Sequence, residues 1–424
     1  MNGLKDWLHR RRHPQRFALL DQLLRTQAMS REQVLRKQRE DLAQIVAFAV
    51  DNTDYYGRRF ADSRDIASLP ILTKDEVRAN LDAMLARNAD RTQAHIGYTG
   101  GSTGQPLAFW WDSAKHELMR AGMMRSYMMS GWRPGQKILN FWGARQDIRS
   151  GGLAKRYGEY ITGEKTIAAH AYTQAQLGEW AGFVRAWRPI LLQGYASIIA
   201  ELASFVIDHK LRMPTSLLGV FSTAEMLDDR QRQLMEQAFG CKVFNQYGCR
   251  EIPNIACECR HGNMHVFTDM VYLQSLPGNG EDHLIVTSLT NRLMPFIRYD
   301  IGDSGRLKDG ECACGSPFPL MEMGMCRQND LVRTPGDKRI YPSYFNRLLC
   351  GLEQIRQYQL VQSSPERLTL NLVTTSPLPA AAIATLHDSI RRDLDANMQF
   401  EVNYVERIEP TASGKRRFVV SHCT

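Results

Sequence analysis

Apolar residues recur at helical spacing through residues 15–50, first at Phe17, Leu20, Leu23 and Leu24, then at Val34, Leu42, Ile45 and Val46. A repeat of about 3.6 residues predicts amphipathic helices with one buried face. Asn52-Thr53-Asp54-Tyr55-Tyr56-Gly57 predicts a break. Residues 69–76 read as a loop entering a helix, with Thr73 as N-cap and Glu76 closing a capping box.

Past residue 90 the pattern changes. Residues 94–98 and 107–111 read as strands. Residues 113–130 read as a helix, and its methionines (Met119, Met123, Met124, Met128, Met129) read as core. Short apolar runs then predict strands at 137–143, 189–194, 217–222 and 242–246, with helices at 198–209 and 230–239. This alternation predicts an α/β domain with largely parallel strands. Ligands of such sheets sit beyond the carboxyl ends of the strands. Shorter strands follow between 264 and 294. A second unit is expected from Arg327, with a turn at Pro335-Gly336-Asp337 and a helix from Ser343. Strands near 358–362, 368–373 and 400–405 and a helix at 380–394 complete a small α+β domain.

A chain of 424 residues is too long for one ordinary core. No apolar run is long enough for a spanning helix, and no apolar h-region follows the basic start, so a cytoplasmic protein is expected. The net charge is +8, and the ten Lys/Arg against four Asp/Glu in residues 1–40 account for +6 of it. The rest is nearly balanced. That argues against a general nucleic-acid surface and for a solvated basic helix pair.

Candidate chemistry gathers first at Tyr98-Thr99-Gly100-Gly101-Ser102-Thr103-Gly104-Gln105-Pro106. Such a run disfavours helix and strand, and offers backbone N–H groups and hydroxyls to a polyphosphate. It has neither the lysine of the common NTPase loop nor the spacing of a dinucleotide fingerprint. Further punctuated segments follow in order. They are Ser222-Thr223-Ala224-Glu225, Tyr247-Gly248-Cys249-Arg250-Glu251, Arg298 to Asp303, Arg327-Gln328-Asn329-Asp330 and Ser413-Gly414-Lys415-Arg416-Arg417.

Nine cysteines in a chain of this length suggest a metal rather than a disulfide scaffold. Cys259, His265, Cys312 and Cys314 could supply three thiolates and an imidazole to a tetrahedral structural zinc, with Cys257 and His261 as competing ligands.

The ordered set of segments, from about residue 95 to the C-terminus, resembles the adenylate-forming superfamily of acyl-CoA synthetases and ligases. Its nearest likeness is the phenylacetate–coenzyme A ligase-like branch, which includes CapK-like proteins. The resemblance implies a large multi-layer α/β domain and a small mobile C-terminal α+β domain. Residues 1–90 would form the helical part of the large domain, residues 91–326 its ATP- and acid-binding core, and residues 327–424 the lid. It implies a ligase that joins a carboxylic acid to ATP, releases pyrophosphate, and passes the acyl group from acyl-AMP to a thiol or amine, by default coenzyme A.

The resemblance also distributes roles. Thr99, Gly100, Gly101, Ser102, Thr103 and Gly104 would form the phosphate loop. Ala224 and Glu225 would lie against adenine, Tyr247 and Gly248 would border adenine and acid, and Asp303 would hold the ribose. Glu251 would hold magnesium, Arg327 would sit at the domain junction, and Lys415 would reach the α-phosphate. Asn329 stands where the family usually has aspartate, which leaves the pivot residue open. The acid pocket would draw on Trp142-Gly143, the 222–225 segment and Tyr247-Gly248. Phe141, Trp142, Phe221 and Phe244 fit either an aryl acid or core packing, and Arg145 and Arg149 could meet a second substrate charge. Two alternatives stand beside the ligase. One is an adenylyl- or amide-transfer enzyme of the same fold that acts without coenzyme A in polysaccharide or secondary-metabolite biosynthesis. The other is a non-catalytic zinc-bearing interaction protein. A homodimer is left open.

Overall fold

A computed structural model describes residues 2–60, 65–99, 107–142, 153–169, 172–277, 282–327, 332–336, 339–340, 342–349, 352, 354–409 and 417–423. Helices α1 (Asn2–Arg12), α2 (Pro14–Gln27), α3 (Arg31–Asn52) and α4 (Asp54–Phe60) open the chain. The helical repeat holds, with Phe17, Leu20, Leu23, Val34, Ile45 and Val46 buried. The expected break at 52–57 shrinks to Thr53. Its hydroxyl donates to Ala49 O and accepts from Tyr56 N, so it ends one helix and starts the next. Gly57 is then inside α4, where a Cβ would meet Val50 O at 2.9 Å. The capping box at Thr73 and Glu76 starts α5 (Lys74–Ala79) as expected.

Strands β1 (His95–Tyr98) and β2 (Ala108–Trp111) form an antiparallel hairpin. It leads to α6 (Ser113–Met128), where only Met124 of the predicted methionine stripe is fully buried. Strands β3 (Ile138–Trp142), β4 (Glu164–Ala168), β5 (Leu191–Tyr195), β6 (Gly219–Thr223) and β7 (Lys242–Tyr247) follow, with helices α7 (Leu153–Thr162), α8 (Gln174–Trp187), α9 (Ala196–Asp208) and α10 (Asp229–Phe239) between them. These five strands are parallel, in the order β4-β3-β5-β6-β7. Leu139, Leu192, Val220 and Val243 are aligned across them and pack against α8, α9 and α10, which buries that face. The sheet then turns antiparallel. Strands β8 (Ala256–Glu258), β9 (Met264–Val266), β10 (Val271–Leu276), β11 (His283–Ser288), β12 (Tyr299–Lys308) and β13 (Leu320–Arg327) extend it to eleven strands. The order beyond β7 is β8-β9-β13-β12-β11-β10.

The chain divides into two units. The first is Met1–Leu276 with Leu284–Ile301 and Arg306–Glu322. The second is Met323–Thr424 with Pro277–His283 and Gly302–Gly305. In the second, β14 (Val332–Arg333) pairs with β15 (Arg339–Ile340) ahead of α11 (Pro342–Leu349). Strands β16 (Ile355–Ser364), β17 (Arg367–Thr374), β18 (Gln399–Tyr404) and β19 (Val419–Ser421) make a four-stranded sheet in the order β18-β17-β16-β19, with α12 (Ala380–Asp393) between β17 and β18. Leu368, Leu370 and Leu372 meet Leu386 and Ile390 in its core. This mixed architecture agrees with the expected α/β class and small α+β unit. Among the described residues no helix is long and apolar enough to cross a membrane.

Candidate active site and metal centre

The glycine-rich run falls in sequence between the paired strands β1 and β2, and its residues 100–106 lie outside the described set. Its neck is described. Thr99 N donates to Leu107 O at 2.9 Å, and Leu107 N donates to the Thr99 hydroxyl at 2.9 Å. Gly97 is needed beneath the neck, because a Cβ there would meet the Phe109 ring at 2.8 Å.

The 222–225 and 247–251 segments lie at the carboxyl ends of the adjacent parallel strands β6 and β7. Ala224 takes φ +68°, a left-handed conformation that costs a non-glycine residue about 1–2 kcal/mol. Such strain concentrates at functional sites. Glu225 Oε2 accepts from Ser197 N, at the start of α9, at 2.8 Å. Gly248 admits no side chain, since a Cβ would sit 2.8 Å from Asn254 N. Arg250 Nη1 donates to Tyr98 O at 3.3 Å, which ties this segment to the loop hairpin.

Glu251 is buried, at 4% exposure. Its Oε1 accepts from the Tyr299 hydroxyl at 2.9 Å, and its backbone O accepts from Lys115 Nζ at 2.8 Å. Its Oε2 is buried without a protein partner. A buried carboxylate oxygen without a donor is costly, and a cation satisfies it. Glu251 therefore fits the magnesium expected of it. Burial, then the Glu251 charge, raises the Tyr299 hydroxyl far above its usual range, so it stays a donor.

Phe141, Phe221 and Phe244 are fully buried, and the last two stack with centroids 4.8 Å apart. They pack in the core. Trp142 is half-buried and meets Tyr195 edge-on at 5.2 Å. Gly143, Arg145, Arg149, Lys415 and Asn329 lie outside the described residues. Asp303 is buried in β12, and Arg327 ends β13. Lys115 and Tyr299 were invisible to motif reasoning. Lys115 sits in the methionine-rich helix with no punctuation around it, and Tyr299 stands unmarked inside the Arg298-to-Asp303 segment.

The cysteine–histidine cluster forms as the spacing suggests. Ligand atoms of Cys259, His265, Cys312 and Cys314 all lie within 4.8 Å of one another. Cys259 Sγ and Cys312 Sγ are 3.7 Å apart, and Cys314 Sγ is 3.3 Å from His265 Nε2. Tetrahedral zinc with bonds of about 2.0–2.3 Å spaces its ligands by much the same distances. Two tight turns present the sulfurs. One closes with Gly262 N on Cys259 O, the other with Gly315 N on Cys312 O, and both glycines have positive φ. N–H groups of His261, Cys314 and Ser316 point at Cys259, Cys312 and Cys314 Sγ, and Asn263 Nδ2 adds a donor to Cys312. Such donors favour thiolates. His265 Nδ1 lies 3.2 Å from Phe318 O, which turns Nε2 to the cluster. Neither Cys257 nor His261 joins the group. Among the described cysteines there is no disulfide.

Comparison with known proteins places this geometry. Residues 332–422 match the CapK C-terminal domain family. CapK of Staphylococcus aureus is 24% identical over 84% of this chain and 80% of its own length. The phenylacetate-coenzyme A ligase of Thermus thermophilus is 25% identical over 79% of each chain. The solved structure of a 2-hydroxyisobutyryl-CoA ligase with a bound acyl-AMP superposes with a TM-score of 0.73, at 19% identity, over 94% of this chain and 91% of that one.

Proposed function

We propose that this chain, a member of the adenylate-forming superfamily on the branch of CapK and the phenylacetate-coenzyme A ligases, is an ATP-dependent acid-activating ligase. It joins a carboxylic acid and ATP into acyl-AMP and pyrophosphate, and then passes the acyl group to coenzyme A. The observation that carries this reading is the relationship to an acid–coenzyme A ligase across four-fifths of the chain. The buried Glu251, with one oxygen fixed and the other without a partner, supports it locally.

A carboxylate is a poor nucleophile, and it must approach an anionic phosphate. Residues 100–104 would supply N–H groups and hydroxyls to the phosphates, and the Thr99 hydroxyl would hold the loop's neck. Magnesium, held by Glu251 and the nucleotide, would neutralise phosphate charge. Glu225 and Ala224 would lie against adenine, and Asp303 would accept from the ribose hydroxyls. Lys415 would donate to both the attacking carboxylate oxygen and the α-phosphate oxygen, and so stabilise charge in the transition state. The segment from Arg327 would bring the small unit to each half-reaction in turn. Zinc at Cys259, His265, Cys312 and Cys314 would leave no open position. Its role would be to staple the two turns.

The test is pyrophosphate exchange into ATP with aryl, fatty, hydroxy, amino and sugar acids, without acceptor. Exchange with one acid class, followed by coenzyme A-dependent AMP release, is expected. A second reading, transfer to an amine or sugar without coenzyme A, is kept because the relatives include CapK, which is not named a coenzyme A ligase. It expects the same exchange with AMP release indifferent to coenzyme A.

A further inference from the structure

Lys115 lies in the first turn of α6, capped by Asp112, and is half-buried. Its ammonium donates to the backbone O of Glu251 at 2.8 Å and sits 4.7 Å from the centre of the Phe109 ring. That ring lies against Gly97 across the β1–β2 hairpin, below the Thr99–Leu107 neck. Lys115, Glu251, Ser288 and Asn291 line one small cavity, with Met119 and Met270 on its apolar wall. Asn291 Nδ2 and Glu251 Oε2 are both buried there without protein partners. In a half-buried lysine, an ammonium turned onto a carbonyl and a ring face is uncommon unless it is paired. Here the charge faces the Glu251 carbonyl and carboxylate and the Phe109 ring, from two separate stretches of chain. No feature of the α6 helix itself requires it.

We infer that Lys115 is a positioning residue that couples the glycine-loop hairpin to Glu251. The aromatic face of Phe109 anchors the ammonium to the hairpin, and the carbonyl bond fixes the Glu251 main chain. Tyr299 fixes the carboxylate from the other side. Glu251 is thus held at backbone and side chain at once, and its second oxygen is presented in a defined place relative to the β1–β2 strands. This inference rests on the ligase reading, in which Glu251 and residues 100–104 serve one metal–nucleotide complex.

The test compares full-length wild type, Lys115→Met and Lys115→Arg. Methionine keeps the length and apolar stem of the side chain and removes the donor and the charge. Pyrophosphate exchange is followed against free magnesium at saturating ATP, and the melting shift induced by magnesium and ATP is followed without any acid. For Lys115→Met, exchange falls by about 10- to 100-fold, as for loss of a group that orients a metal ligand. Its half-saturating magnesium rises several-fold and its melting shift shrinks. Lys115→Arg recovers part of each. The inference is overturned by Lys115→Met with the wild-type magnesium dependence, whether its rate is unchanged or its melting temperature alone has dropped. Wild type that exchanges with no acid overturns the ligase reading, and the melting shift then decides on Lys115 alone.

Discussion

The Tyr299 hydroxyl donates to Glu251 Oε1 at 2.9 Å, and both groups are buried. The two residues stand 48 positions apart in sequence, so this bond is a product of the fold. It leaves Oε2 as the one oxygen of that carboxylate without a protein donor. Tyr299→Phe removes the donor and keeps the ring. Exchange activity is expected to fall about 10-fold, with a higher magnesium requirement and near-native melting. An unchanged magnesium titration would remove Tyr299 from the site.

Lys415→Ala is expected to lower the rate of acyl-AMP formation by about two orders of magnitude or more, the scale of losing one transition-state donor. Substrate binding, read as the ATP melting shift, should change little. Wild-type rates of acyl-AMP formation in this variant would falsify the role given to Lys415.

The four-residue cluster should carry one zinc per chain, read by elemental analysis of protein purified without chelator. Cys312→Ser should lose the metal and melt at a lower temperature, and Cys257→Ser should keep it. Prolonged chelation should reproduce the melting loss in wild type. Retention of full zinc by Cys312→Ser would place the metal elsewhere.

Arg125 and Asp269 form a buried two-bond ion pair, Nη1 to Oδ2 at 2.6 Å and Nη2 to Oδ1 at 3.0 Å. The guanidinium also lies 4.0 Å from the Phe267 ring centre. Asp269→Ala strands a buried charge and should cost about 3–5 kcal/mol in urea unfolding, while Arg125→Met with Asp269→Leu should cost much less. Equal losses would mean that the pair itself, not the orphaned charge, sets the cost.

His9 is 1% exposed, and neither ring nitrogen has a protein partner. Burial, followed by the Arg16 charge, lowers its pKa to about 4, against 6.5 ordinarily. Arg120 and His13 push the same way, and Glu164 opposes them. Between these values the unfolded chain binds a proton that the folded chain refuses. Stability therefore falls as pH drops from 6.5 toward 4, by up to about 3 kcal/mol from this group. His9→Leu should show a correspondingly shallower loss between pH 7.5 and 4.5, measured as the difference in unfolding free energy from wild type. Parallel losses in both proteins would refute the assignment.

The parallel half of the sheet was legible because strands buried on both faces leave continuous apolar runs, as at Leu191 and Leu192. The second unit was legible from its alternating strands, such as Leu368, Leu370 and Leu372 facing one core. Strand β4 was not, because Glu164-Lys165-Thr166-Ile167-Ala168 lies at the sheet edge and is only partly buried. The helix after Thr53 was missed because a single hydroxyl replaces the expected loop. The cysteine–histidine set was readable as chemistry, and the turns separated its true members from Cys257 and His261. Lys115 carried no signal, since the Glu251 carbonyl that it meets lies 136 positions away and reaches it only on folding.

The strand order has a consequence for synthesis. Strands β10, β11 and β12 join the rest of the sheet only through β13, which pairs with β9. The parallel strands β3 to β7 can all pair once residue 247 has left the ribosome. The next three strands to emerge after β9 can pair with one another, but the edges of β9 and β12 that face β13 stay open until residues 320–327 appear. A nascent chain paused in that interval carries an open sheet edge, and that is the stage at which a chaperone would be needed most.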